Sequence, residues 1–302
     1  MNPMNRRDFL AASAAASASA SLVAGSAAKA AAAPKHGLPT SATDVRTLGQ
    51  SGVKVSLVGM GTGSVGSEQS SNQLRLGLKE FTRVVRHALD HGVTLFDVAD
   101  QYGSHVFLRE ALKGVPRDKY QIQTKTHARN ERIAKSHMER YLLELGVEYI
   151  DVMLLHCMTE GDWVEKHTGA MDYLRKAKEQ GLIHAHGTSC HGMTSLRTIA
   201  KVPFVEVDLA RINPFGLQMD DQNPDEVASQ IQEMHDAGKG IVGMKILGEG
   251  QIKTPEKIDQ SLSFVLGLGT VDAFIVGFES TDQVDDLLKR VDNAIAGLKG
   301  KA

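Results

Sequence analysis

From Val45 onward the chain alternates between short apolar runs and longer amphipathic stretches. The apolar runs are Lys54–Met60, Thr94–Ala99, Tyr120–Lys125, Tyr149–His156, Ile183–Ser189, Phe204–Ile212, Gly240–Ile246 and Ala273–Phe278, each of strand length. Between them apolar residues recur at three- and four-residue spacing, as in Phe81–Leu89, Ile133–Leu145, Met171–Ala177, Val227–Ala237 and Val284–Ile295. That spacing predicts helices that each bury one stripe. Gly92, Gly114, Gly146, Gly181 and Gly238 fall where such helices should end. Strands alternating regularly with helices predict a parallel α/β sheet. For a stretch of this length, a closed (β/α)8 TIM barrel is a better fit than an open doubly wound sheet. The glycine-rich Gly59-Met60-Gly61-Thr62-Gly63 lacks the Gly-x-Gly-x-x-Gly spacing of a dinucleotide-binding turn, which also argues against the open sheet.

Three of these runs finish in side chains that carry protons. Thr94–Ala99 holds Asp97, with Tyr102 just beyond it; Tyr120–Lys125 ends on Lys125; Tyr149–His156 ends on His156. In a parallel barrel the carboxyl ends of all strands face one mouth. A Tyr, a Lys, an Asp and a His placed there point to one proton-transfer site. Each has a plainer reading as well. Asp97 could cap a loop, Tyr102 could pack near a turn, Lys125 could pair with Asp97 for structure alone, and His156 could be a core histidine. Lys125 is the hardest to explain as structure, because an unpaired ammonium inside an apolar strand is costly.

The set Asp97, Tyr102, Lys125 and His156, in that order and on those elements, resembles the catalytic tetrad of the aldo-keto reductases. The segment RTLGQSGVKVSLVGMGTG at residues 46–63 is similar to that family's opening β-hairpin and first strand, and VDAFIVGFESTDQVDDLL at 271–288 to its last strand and helix. The resemblance implies a nicotinamide-dependent interconversion of a carbonyl and an alcohol, with a sugar or polyol as one substrate class. Tyr102 would be the acid/base. Its unperturbed pKa is about 10, and Lys125 would lower it while Asp97 holds Lys125 charged. His156 would hydrogen-bond the substrate oxygen or join the proton relay.

The resemblance also implies cofactor contacts. They fall at Gly61 and Thr62 after the first strand, Ser189 and Cys190 after the fifth, and Asn213 after the sixth. Met244 and Lys245 follow the seventh strand, and Gly277, Glu279 and Ser280 the eighth. Several depart from the family pattern. Cys190 stands where Asn is usual, Leu209 where Gln is usual, Ile212 where Tyr precedes Asn213, and Met244 where a Tyr stacks on the nicotinamide. Glu279, with Asp285 and Asp286 further on, replaces cations that hold the 2′-phosphate of NADP(H). A carboxylate there repels that phosphate and accepts from a free ribose hydroxyl. These departures favour NAD(H) over NADP(H), or a tightly held nicotinamide. Arg211 and Lys245 are new cations at strand ends; they either face the mouth and favour an acidic or polyol-like substrate, or point outward in salt bridges.

Composition adds bounds. The chain has 34 Lys and Arg against 36 Asp and Glu, so no basic excess suggests a nucleic-acid partner. Its two cysteines, Cys157 and Cys190, rule out a disulfide framework and have no metal-ligand spacing. His184 and His186 share a strand face but form no defensible metal set. Residues 1–30 are expected to be a signal peptide: Asn5-Arg6-Arg7-Asp8-Phe9-Leu10 is a twin-arginine pattern, an Ala/Ser run follows, and Ala28-Lys29-Ala30 is a small-residue cleavage site. That run is too short and too poor in Leu to stay as a membrane span. The expectation is export to the periplasm in folded form by the twin-arginine machinery, with a flexible lead-in at 31–44 and the barrel over 45–302. Two other functional readings stay open. One is a lyase or isomerase that uses the same Tyr and Lys without a cofactor; the other is a noncatalytic ligand-binding barrel.

Overall fold

The computed structural model describes residues 37–300. The expected signal peptide and residues 31–36 of the lead-in lie outside the described residues. Two short antiparallel strands come first, β1 (Val45–Thr47) and β2 (Lys54–Ser56), joined by a turn with Gly52 at φ +76°. Then β3 (Val58–Gly61) opens the barrel. It is followed by α1 (Asn72–Arg75), α2 (Leu78–Asp90), β4 (Leu95–Asp97), α3 (Ser104–Ala111), β5 (Gln121–Thr126), α4 (Glu131–Leu145) and β6 (Ile150–Met158). The second half runs α5 (Trp163–Lys166), α6 (Thr168–Glu179), β7 (Ile183–Cys190), α7 (Met193–Leu196), β8 (Val207–Arg211), α8 (Pro224–Asp236), β9 (Gly240–Met244), α9 (Pro255–Gly267), β10 (Ala273–Gly277) and α10 (Thr281–Lys299). Strands β3 to β10 form a closed barrel in sequence order, and β10 pairs parallel with β3 to complete the ring. No helix among the described residues is long and apolar enough to cross a membrane.

The sequence pattern had merged two elements. The run Lys54–Met60 reads as one strand, but Lys54–Ser56 belongs to the hairpin and Val58–Gly61 to the barrel. The strands after Phe204 and Gly240 are also shorter than expected. β8 begins only at Val207, and β9 stops at Met244 because Lys245 turns to φ +60°.

The side-chain period of two sorts each strand into an inward and an outward face. Leu95, Val152, Leu154, Ala185, Val207, Leu209, Val242 and Ala273 form one buried cluster inside the ring. Leu48, Val53 and Val55 of the hairpin belong to the same cluster, so the hairpin plugs the barrel's amino-terminal end. Gln50 N donates to Gly238 O at 2.9 Å and fastens that plug. The outward faces pack against the helices in a second, larger core that includes Phe81, Met138, Trp163 and Phe274.

Parity then explains the mouth. Two residues beyond Leu95 is Asp97, two beyond Leu154 is His156, and two beyond Leu209 is Arg211. The interior is apolar below and polar at the carboxyl end on the same strand faces. His184 and His186 take the other face. His186 stacks on Phe204 with centroids 4.4 Å apart, and His184 stacks on Tyr149 at 4.5 Å.

Close approach of β7 to β8 depends on Gly187, where a Cβ would lie 1.7 Å from the Val207 carbonyl oxygen. Gly187→Ala is therefore expected to prevent this seam from closing. Its cost should exceed about 4 kcal/mol, the range of exceptional single substitutions. Chemical denaturation would check this, and a loss below about 1 kcal/mol would refute the packing argument.

Candidate active site

At the mouth the Lys125 ammonium is almost fully buried and sits among oxygens. It donates to Asp97 Oδ1 at 2.6 Å, Asp97 Oδ2 at 2.8 Å and the Val98 carbonyl at 3.1 Å. Gln123 Nε2 adds a bond to Asp97 Oδ1 at 2.8 Å. Burial alone would push the lysine pKa down, but Asp97 outweighs it, with Tyr102 adding to the effect, so Lys125 titrates above its ordinary value. Thr62 holds the backbone of the same residue: its N–H and its hydroxyl both donate to the Asp97 carbonyl, at 3.0 and 2.9 Å.

Tyr102 sits on a single turn of 3-10 helix, Asp100–Tyr102, directly after β4. Its ring lies over the glycine-rich loop. A Cβ on Gly63 would come within 2.3 Å of that ring, so the glycines after β3 make room for the tyrosine. Lys125 Nζ stands 5.0 Å from the ring centroid, and the His156 ring meets it edge-on at 5.9 Å. Lys125 does pull the phenol down, as expected from the sequence, yet burial is the larger effect and Tyr102 ends above its ordinary value. Asp97 adds to the rise by opposing the ammonium's field.

His156 is held uncharged. Burial is the main cause, and the charges of Lys125, His127 and His191 add to it, so its pKa falls well below the usual value. Its Nδ1 has no hydrogen-bond partner among the described residues. Two further histidines close around it. His127 stacks on His156 at 4.5 Å, and His191 approaches edge-on at 6.1 Å. The sequence offers His127 no role beyond a metal set with His184 and His186 that cannot be defended. The signal available was its place just past Lys125 at the end of β5. Gln123 was also missed, although it lies one inward step below Lys125.

A cavity of about 390 Å³ opens from Tyr102 and Asp97 across the ends of β9 and β10 to Glu279. Of the expected cofactor residues, Gly61, Met244, Lys245, Gly277 and Glu279 line it. The others sit elsewhere. Asn213 is buried and organises its loop, donating to Leu217 O and Lys245 O and accepting from Phe215 N. Ser280 caps α10 by accepting from Gln283 N. Cys190 is buried on the outward face beside Asp208. Ser189 is buried too, and its hydroxyl has no partner among the described residues. Cys157 and Cys190 are both free thiols. Trp163 is buried away from this cavity and donates to Thr198 Oγ1.

The new cations at the strand ends are largely spoken for. Lys245 pairs with Glu249 at 2.6 Å, and Glu249 also accepts from Val65 N across the mouth at 3.2 Å. Arg211 Nη2 donates to His191 Nδ1 at 2.5 Å, and Asp220 lies 3.5 Å from Arg211 Nη1. Glu279 accepts from Asn72 Nδ2 at 2.7 Å.

A closed parallel barrel with a buried Lys–Asp pair, a phenol and a neutral histidine at its carboxyl mouth defines the class of protein. The family model "Aldo/keto reductase family" matches residues 57–264, and the chain belongs to that family. Among curated relatives, a Glycine max protein named Probable aldo-keto reductase 1 is 31% identical over 47% of this chain and 43% of its own length. L-galactose dehydrogenase of Arabidopsis thaliana is 24% identical over 80% of this chain and 86% of its own. A solved aldo-keto reductase from Klebsiella pneumoniae in complex with NADPH shares the fold with TM-score 0.63 and 16% identity, over 82% of this chain and 89% of that one.

The buried pair gives a direct test. Asp97→Ala leaves an uncompensated ammonium and should cost about 3–5 kcal/mol. Asp97→Leu combined with Lys125→Met should recover most of that loss. A double variant as unstable as the single one would overturn the account. Burial also gives a pH dependence. It raises Asp208 from 3.8 to about 7, with Thr188 and Cys190 opposing the rise. The folded state keeps this proton after the unfolded state has released it, so stability should fall as pH rises from about 4 to 7 and then level off. Asp272, also raised to about 7, shares the slope. Asp208→Asn should flatten the fall and melt higher than the parent at pH 8; thermal melts across that range would show it, and an unchanged slope would refute it.

Proposed function

We propose that this protein is a nicotinamide-dependent oxidoreductase that interconverts a carbonyl and an alcohol, with Tyr102 as acid/base. The observation that carries the reading is the buried Lys125–Asp97 pair beneath the Tyr102 ring, at one edge of a cavity of about 390 Å³ whose lining runs on to Glu279. A structural ion pair alone gives no reason to set a phenol and an uncharged histidine over it.

The residues present fit a nicotinamide. Gly61, Met244 and Gly277 line the cavity, and the Ser189 hydroxyl, buried outside that lining, has no partner among the described residues. When bound, that group supplies or accepts the hydride. The chain's own residues manage the proton and the charge. Tyr102, kept protonated by burial, gives its proton to the developing alkoxide in reduction and takes it back in oxidation. Lys125 stabilises the phenolate left behind, and Asp97 with Gln123 keeps that ammonium in place. Neutral His156 can donate one N–H to the substrate oxygen without adding charge.

The likeness to L-galactose dehydrogenase over most of the chain supports a sugar or polyol as substrate class. Glu279 at the far end of the cavity supports NAD(H), because a carboxylate repels a 2′-phosphate. The Klebsiella protein, solved with NADPH, is the counter-example that makes the choice worth measuring. The twin-arginine pattern supports export in folded form, with a nicotinamide held tightly enough to leave with the protein.

Tyr102→Phe should lower kcat for carbonyl reduction by about 100-fold or more while nucleotide binding persists. Binding is best followed through reduced-nicotinamide fluorescence, because Trp163 lies off the cavity. NADH should bind more tightly than NADPH. Full activity of Tyr102→Phe would refute the acid/base role, and absence of binding by either nucleotide would return the lyase and binding-protein readings to the front.

A further inference from the structure

We propose that His87, His91 and Asp285 form a binding site for a divalent transition-metal ion of the zinc class. It would pin the first long barrel helix to the last. His87 and His91 are one turn apart at the end of α2, so their rings share a face. The ring centroids lie 4.1 Å apart. Asp285 reaches over from α10, and the three ligand atoms all lie within 4.8 Å of one another.

The hydrogen bonding prepares these atoms for a cation. His91 Nδ1 lies 2.8 Å from the His87 carbonyl. A carbonyl only accepts, so Nδ1 carries the proton and Nε2 keeps its lone pair, facing Asp285 at 3.9 Å. Metal-bound histidines are typically oriented in this way, by donating the other ring N–H to an acceptor. His87 Nε2 lies 2.6 Å from the same carboxylate oxygen, and a bound dication would displace the proton shared there. A tetrahedral zinc with bonds of about 2.0–2.2 Å holds its ligand atoms about 3.3 Å apart. The 2.6 Å contact must open and the 3.9 Å contact must close to reach that spacing, both within reach of side-chain torsions.

The surroundings suit a cation. The Asp285 side chain is 52% exposed and the His91 side chain 48%, so an ion can enter without opening the fold, and water can complete its coordination. Arg83, one turn before His87, is taken up by Glu80 and Thr281 and does not fill the site. Two imidazoles with one carboxylate select zinc, nickel, cobalt or copper over magnesium and calcium. The position matters structurally. α2 follows β3 and α10 follows β10, the two strands whose pairing completes the ring. The site is on the outside of the barrel, and the proposal does not depend on the catalytic reading.

The test uses tag-free, chelator-treated protein. Calorimetric titration with Zn2+ should show one saturable site per chain, and excess Zn2+ should raise the melting temperature, whereas Mg2+ should not. Co2+ should give a visible absorption band. His91→Ala and Asp285→Asn, both at exposed side chains, should each weaken Zn2+ binding about ten-fold or more and abolish the band. Absence of saturable binding would overturn the proposal, as would affinity unchanged in both variants.

Discussion

Lys125 is the constraint around which the mouth is built. Its ammonium lies where water does not reach, and such a charge persists only when oxygens surround it. The Asp97 carboxylate and the Val98 carbonyl answer that demand, and Gln123 on the neighbouring strand holds the carboxylate. The register of β4 against β5 therefore carries electrostatic weight as well as packing. Asp97 is in turn fixed through its carbonyl by Thr62 on the loop after β3, so the charge ties three successive strands together. The plug of Leu48, Val53 and Val55 at the opposite end leaves the mouth as the polar end of the interior.

Most of this was legible in the sequence because barrel strands announce themselves by length and spacing, and because Asp97 and His156 share the inward parity of the apolar residues below them. Where the reading failed, a local cause can be named. Lys54–Met60 looks like one strand because nothing in its composition marks the change of partner at Leu57. The phenol of Tyr102 was expected to fall in pKa. The pair interaction was visible in sequence, but the degree of burial was not. The pairing of His87 and His91 with Asp285 was out of reach for a different reason. The i,i+4 histidines are readable, but their third partner lies on the opposite end of the chain.

The mouth has more imidazole than a four-residue proton site requires. His127, His156 and His191 lie in a row of ring contacts. His191, lowered to about 3 by burial and by the cations Arg211 and Lys245, stays neutral beside His156. Neutral His156 and His191 can each offer one donor without bringing charge, while His127 spends its own on Gln101. A neutral, hydroxyl-rich ligand suits such a lining better than an anion does. The pairing of Lys245 with Glu249 and of Arg211 with Asp220 reduces the positive field that two strand-end cations would otherwise project.

The order of the barrel has a temporal side. β3 has one neighbour, β4, from early in synthesis, but its other neighbour, β10, leaves the ribosome only after all the other barrel strands. Until then one edge of the nascent sheet is a row of unpaired backbone groups, the kind of surface on which other chains pair. Ring closure joins residues distant in sequence, which is the slow class of folding event. The chain thus reaches its protected form in one late step, and a ribosome that stalls before Ala273 releases an open sheet rather than a smaller closed barrel.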